Sequence, residues 1–420
     1  MSFNIALTGL NAANEDLSVT SNNLANVATV GFKGSRTEFS NLFSSSRTGV
    51  SATAVGNGVA VADVAQQFSQ GNIQTTGNSL DLAVNGSGLF VVSNNGALQY
   101  TRDGQFQTNA TGDVVTATGQ NLQVYPPLAN GGFNTGGLQN LSLTTGESAP
   151  KATTTAQLVA NLPANATPPT ATPFSPTNAS SYSNTTSLTV YDSLGAAHTA
   201  SLYFVNASTT TTPDTWDVYQ YIDGSAVNAS PATLTYNNNG VLTSATNPGG
   251  TAATNGQISF GSYTPATGAA AMNPTFDFSQ TTQYGGSFGV SAQTQNGYTT
   301  GQLTGINIGS TGVVQAQYTN GNSVNLGQIA LANFANEQGL QQLGNSSWAA
   351  TIDSGAPVNG VAGGSGFGSI QSGSLEESNV DTTSSLVDMI TAERDYQANA
   401  QMIQTQNQIT QSIIQIVQQG

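Results

Sequence analysis

The stretch "SNNLANVATVGFKG", residues 21–34, ends a run of regularly spaced apolar residues with three asparagines, then passes through Gly31 into an aromatic and a lysine. Asparagine and glycine stop helices and start turns, because both tolerate backbone angles that branched residues resist. A helix therefore closes here, within some thirty residues of the start. Upstream, Phe3, Leu7, Leu10, Asn14, Leu17, Ser21 and Leu24 follow alternating steps of four and three, the spacing that sets residues along one helix seam.

The far end repeats the pattern. Leu386, Met389, Glu393, Tyr396, Ala400, Ile403, Asn407, Thr410, Ile414 and Val417 also step by three and four, with Asp381 placed to cap the helix start. Polar residues interrupt both seams, so neither helix buries enough apolar surface to stand alone in water. Either both pack on the chain's own globular core, or they pair with each other and then with copies from other subunits. The second reading predicts that the helices are mostly unfolded before assembly.

Between the ends the chain reads as antiparallel β. Residues 89–101, 233–245 and 313–331 each set an Asn-Gly between alternating or β-branched runs, a strong hairpin signal. A Pro-rich stretch over 161–179 reads as an inter-domain crossing or an extended strap, and the glycine-rich segment 358–373 reads as a flexible connector. The simplest architecture nests one β domain inside another, with both termini returning to one place.

Composition narrows the function classes. Only 6% of residues are charged, and 21 acidic against 6 basic residues leave a net charge of -15, with no Lys or Arg between Lys151 and Arg394. Nucleic-acid binding needs basic clusters and is a poor fit. Cysteine is absent, which removes disulfides and thiolate chemistry. The N-terminus lacks the basic start and apolar core of a secretory signal, and no apolar run approaches the ~20 residues of a membrane helix, so membrane insertion is not expected. The only histidine, His198, sits in a strand-turn-strand pattern where an exposed or capped ring fits better than a general base. Asp214 with Asp217, and Glu376 with Glu377, read as solvated carboxylates. No phosphate loop, dinucleotide fingerprint or metal spacing is present, so no catalytic residue, cofactor or metal is expected and the chain reads as a non-enzyme.

"NNLANVATVGFKGSRTEF" (22–39) resembles the signature that opens the axial proteins of the bacterial flagellum, its rod and hook components, and 373–409 resembles the matching C-terminal signature. Residues 77–92 and 100–115 are similar to the family's first β domain, and 187–205, 216–224 and 327–340 resemble the hook members rather than the shorter rod ones.

The resemblance implies a mainly β protein with helical termini: residues 1–30 and 375–420 as a coiled-coil inner domain, 31–72 as a connecting segment, 73–150 with 291–374 as the first β domain, and 151–290 as an inserted outer β domain. It implies a subunit of the flagellar hook, a curved, flexible helical tube that transmits torque from rod to filament. A distal rod-type protein and a Thr/Asn-rich surface adhesin are the alternatives. The implied partners are further copies of the chain, the rod, hook-cap and hook-filament junction proteins, and the type III export apparatus, which carries the chain outside the cell without cleavage. Phe3, Leu7, Leu10, Leu17, Leu24, Leu386, Met389, Tyr396, Ile403, Ile414 and Val417 are then the expected packing and polymer interface. Asn23, Asn26, Gly31 and Phe32 form the expected joint where helix gives way to β structure: the asparagines satisfy free carbonyls and turn amides, Gly31 adopts a backbone angle other residues resist, and Phe32 anchors the turn.

Overall fold

A computed structural model describes residues 2–43, 56–143 and 146–419, with side chains described between 3 and 415. Helix α1 spans Ser2–Ala25. The chain then forms strands β1 (Ser35–Asn41) and β2 (Val59–Gln66), an antiparallel pair, followed by β3 (Ile73–Thr75) and β4 (Leu82–Asn85). Helix α2 covers Thr382–Gln419 and closes the chain. Asp381 caps it, its Oδ1 accepting the Ser384 N–H at 2.7 Å, which satisfies one of the first-turn amides.

Two compact units divide the chain: residues 1–145, 305–316 and 323–420 in one, and 146–304 with 317–322 in the other. In the first, α1 and α2 pack together, and β1 and β2 run against α1. The 31–72 region, expected as a connecting segment, thus contains a β pair. Most of this unit's β residues build a 12-stranded sheet, whose core includes Phe90, Val92, Leu122, Val124, Ile329 and Leu331. β4 pairs with Ser369–Ser372 and β3 with Ser374–Glu376, so the returning chain is stitched to the outgoing one immediately before α2.

The second unit holds a six-stranded antiparallel sheet and a five-stranded sheet around a core containing Trp216, Phe204, Phe260, Phe276 and Phe278. Strand Thr155–Pro163 departs from the antiparallel expectation, pairing in parallel with Thr275–Asp277 and Thr282–Tyr284 and antiparallel with Gly289–Gln295. The long excursion between 163 and 275 supplies the crossover that parallel pairing requires.

The three Asn-Gly hairpins form where expected, with Gly96, Gly240 and Gly321 all at positive φ. Two loop readings change. Residues 161–179 lie wholly within the second unit and do not cross between units. The segment is a strap, fixed by Phe174 stacking on Tyr219 at 4.1 Å between ring centroids and meeting Tyr182, Tyr203 and Tyr221 edge-on or tilted. The 358–373 segment is no flexible connector. It contributes strands Val358–Val361 and Ser369–Ser372, and Phe367 packs against the first unit's core. Two of its glycines answer to close packing: a Cβ on Gly360 would meet the Phe367 ring, and one on Gly368 the Asn85 carbonyl.

Candidate assembly surface and the joint beneath it

The helix pair is antiparallel. Gly9 lies against Asn399, Ile5 and Ala6 share a notch with Gln401, Met402, Thr405 and Gln406, and Asp16 and Thr20 line a cleft with Ser384, Ser385 and Asp388. The buried positions at this seam are small: Ala6, Ala13 and Thr20 on α1, and Ser385 and Ala392 on α2, each set recurring at seven-residue steps. Small side chains let two helix axes approach closely, and a Cβ on Gly9 would clash with the Asn399 side chain.

The large apolar residues of the expected interface are displaced from that seam. Phe3, Leu7, Leu386, Tyr396 and Ile414 are exposed, while Leu10, Leu17, Leu24, Met389 and Ile403 are half-buried. Val417 lies outside the described side chains. Val387, Ile390, Met402, Ile409 and Ile413 are exposed as well. From 407 to 415 every α2 residue is exposed, since the antiparallel register runs α2 past the start of α1.

At the other end of α1 lies the joint. Asn23 makes a reciprocal pair with the backbone of Ser35, donating to its carbonyl at 2.7 Å and accepting its N–H at 2.9 Å. It therefore ties the helix to β1 rather than serving the helix's own last carbonyls. Asn26 does serve one, donating to Asn22 O at 3.0 Å, and its Oδ1 accepts from Thr29 Oγ1. Gly31 sits at φ 65°, where a Cβ would come within 2.5 Å of the Arg102–Asp103 peptide. Phe32 is half-buried, and its carbonyl accepts the Asn379 N–H.

Beneath these residues is a charged core that corrects the reading of Glu376 as a solvated carboxylate. Glu376 is fully buried. Its Oε1 accepts from Lys33 Nζ at 2.7 Å and from the Gly71 N–H at 2.9 Å, and its Oε2 accepts from Arg102 Nη1 at 2.8 Å. Lys33 also donates to Ser69 O, and Arg102 to the carbonyls of Val84 and Gly86. Burial pulls the Lys33 ammonium below its ordinary value, opposed by the Glu376 charge and hydrogen bond. The Glu376 carbonyl accepts the Gly31 N–H at 2.8 Å, and Asn379 accepts from Gly34 N while donating to Gln67 O. The outgoing joint, the first β domain and the returning strand thus meet at one carboxylate.

Sequence reasoning missed Lys33, Arg102, Glu376 and Asn379. A signal existed: in a chain with only 6 basic residues, a lysine between Phe32 and Gly34 in a turn is conspicuous.

Family models match along most of the chain: Flagella basal body rod protein at 3–33, Flagellar hook protein FlgE/F/G D1 domain at 83–167, Flagellar basal body protein FlaE D2 domain at 161–298, and Flagellar basal body rod FlgEFG protein C-terminal at 371–416. The Flagellar hook protein FlgE of Escherichia coli strain K12 is 39% identical over 99% of this chain and 100% of its own length. The chain belongs to the flagellar hook protein family. Its Salmonella typhimurium relative is 38% identical over 99% of this chain and all of that one, and the Treponema pallidum relative 29% identical over 98% of each. The crystal structure of Helicobacter pylori flagellar hook protein FlgE2 shares the fold with a TM-score of 0.51 at 13% identity, covering 71% of this hook-family chain and 99% of that one. Hook-family chains of this kind are structural proteins. Among the described residues no group of three His, Cys, Asp or Glu side chains is placed to hold a metal ion.

Proposed function

We propose that this chain is a structural subunit of the flagellar hook, polymerising head to tail into a curved, flexible tube that carries torque from rod to filament. One observation carries the reading: the helix pair closes on alanine, serine and threonine, and leaves many of its large apolar residues exposed, Phe3, Leu7, Leu386, Ile390 and Ile413 among them. About half of each such side chain remains to be covered, so a neighbour that covers it adds about half of the ~1.5–3 kcal/mol of full burial per residue, which suits an interface of many shallow contacts with neighbouring copies. The half-open notch of about 380 Å³ between the helices is a receptor for one of their side chains. Heterologous contacts of this kind give an open helical array when the rotation does not close.

In this proposal the terminal helices, 1–30 with 375–420, hold the tube together from within, and the β domains make its outer contacts. Thr, Ser, Asn and Gln surfaces form wet hydrogen bonds that exchange with water at ~1 kcal/mol or less each, so neighbouring domains slide without a deep energy well. The family supports contact with other axial proteins of the flagellum. The rod, hook-cap and hook-filament junction proteins and the type III export apparatus are the partners proposed, with the assembled protein outside the cell.

Electron microscopy of purified protein tests this. Curved tubes are expected; straight, stiff ones indicate a rod-type protein and isolated monomers an adhesin. A variant carrying Ile390→Ser and Ile413→Ser should form no tubes while its monomer stability stays within about 0.5 kcal/mol, the usual range for exposed positions. Tubes formed as readily by that variant would overturn the assignment of the interface.

A further inference from the structure

The assembly reading leaves one buried titratable cluster unused. His198 lies on strand Ala197–Asn206 in the second unit and is 6% exposed. Its Nδ1 stands 2.5 Å from Asp223 Oδ2, and its Nε2 stands 3.2 Å from Asp192 Oδ2. A neutral imidazole has one donor and one lone pair, so it would set that lone pair against a carboxylate. Only the imidazolium satisfies both neighbours. It is also the sole side chain able to carry positive charge between Lys151 and Arg394.

The cluster joins three segments. Asp192 lies in the turn before the His198 strand, where its Oδ1 accepts the N–H groups of Leu194 and Ala196. Asp223 follows strand Thr215–Ile222, and its Oδ1 accepts the Thr199 N–H. The third segment is the loop 263–272, closed by reciprocal backbone bonds between Tyr263 and Met272. Tyr263 packs its ring edge-on to the imidazole and donates its hydroxyl to Asp223, Thr267 donates to Asp192 at 2.8 Å, and the Ala270 N–H donates to Ser193 Oγ. Asp192, Asp223 and Tyr263 are the titratable groups that face the ring.

We propose that the His198 imidazolium is a clamp in this unit: while charged it holds the two aspartate turns and the 263–272 loop together, and its deprotonation releases the loop. Burial alone pulls the imidazole down, but the hydrogen bonds and charges of Asp223 and Asp192 outweigh it and hold the ring above its ordinary value. Burial likewise pushes Asp192 up, and its hydrogen bonds from His198, Thr267 and the turn amides bring it down to about 2. A raised histidine stabilises fully below its unfolded value of about 6.5, and that stability is lost as pH rises through the folded value. Lowering the pH therefore does not open the clamp near neutrality, whereas raising it through the folded value does. The inference stands apart from polymerisation and concerns the soluble full chain.

One histidine in 420 residues makes the test direct. In the full-length protein labelled with 15N-histidine, both ring nitrogens should be protonated at about pH 5.5, a unit below the ordinary value, and lose one proton with a midpoint above about 6.5. As pH rises from about 6.5 through that midpoint, the protection factors of the Ala270 and Met272 amides should fall, by a factor equal to ten raised to the difference between the measured midpoint and the unfolded value of about 6.5. Asp192→Asn should lower the midpoint, and His198→Gln should leave those amides weakly protected at every pH. A midpoint at or below 6.5, or amide protection in the unmodified chain that does not change through the midpoint, overturns the proposal whatever the variants do.

Discussion

Replacing Glu376 by glutamine removes the carboxylate shared by Lys33 and Arg102 at a site with no solvent exposure. Glutamine keeps an oxygen for one cation but turns an NH₂ donor toward the other, leaving uncompensated charge in the interior. Breaking a buried pair in this way costs about 3–5 kcal/mol, which at 1.36 kcal/mol per tenfold is between two and four orders of magnitude in the local opening equilibrium. Native-state amide exchange on the full-length monomer reads it directly, because the Gly71 N–H donates to the Glu376 carboxylate and the Gly31 N–H to its carbonyl. Both amides should exchange roughly 100-fold faster or more, with amides of the second unit unchanged. Lys33→Met should cost less, since Arg102 still neutralises Glu376; this ordering gives a second reading if Glu376→Gln fails to fold. Acceleration below about tenfold at Gly31 and Gly71, or a larger loss in Lys33→Met than in Glu376→Gln, would refute the shared carboxylate as the lock of the joint.

Gly31→Ala should lower the melting temperature of the first unit and abolish tubes, because left-handed backbone costs a non-glycine residue about 1–2 kcal/mol and the new methyl would strike the Arg102–Asp103 peptide. Circular dichroism and microscopy check it, and unchanged melting with normal tubes would contradict it. Replacing Asn23, Asn26 and Gly31 together by alanine should prevent tube formation while leaving the β region folded, as seen by its amide protection; unimpaired tubes would remove the joint from the assembly mechanism. In the soluble monomer, amides over 1–30 and 380–420 should exchange fast while the β region stays protected, since a seam of alanine, serine and threonine buries too little apolar surface to hold two isolated helices. Strong protection at both ends would show that the helices need no neighbours.

Much of the architecture was legible in the chain itself. Period-3.6 spacing, the Asp381 cap and the Asn-Gly dipeptides are local signals whose outcome depends on residues close in sequence, so the two helices and three hairpins stand where those signals put them. The low charge and the positive φ required at Gly31 belong to the same class. What tertiary structure alone decided is which face of each helix its partner takes, and what lies under the joint. Spacing marks a stripe but does not choose between Leu7 and Ala6 as the contact; close approach of two antiparallel axes selects the small residues and leaves the large ones exposed or half-buried. Likewise Lys33, Arg102 and Glu376 are separated by up to 343 residues, and nothing local distinguishes the buried Glu376 from its neighbour Glu377. Their meeting depends on β3 and β4 pairing with the returning strands, a long-range event that brings two cations and one carboxylate into a buried site, where ion pairing together with the carbonyls of Ser69, Val84 and Gly86 offsets the cost of burial.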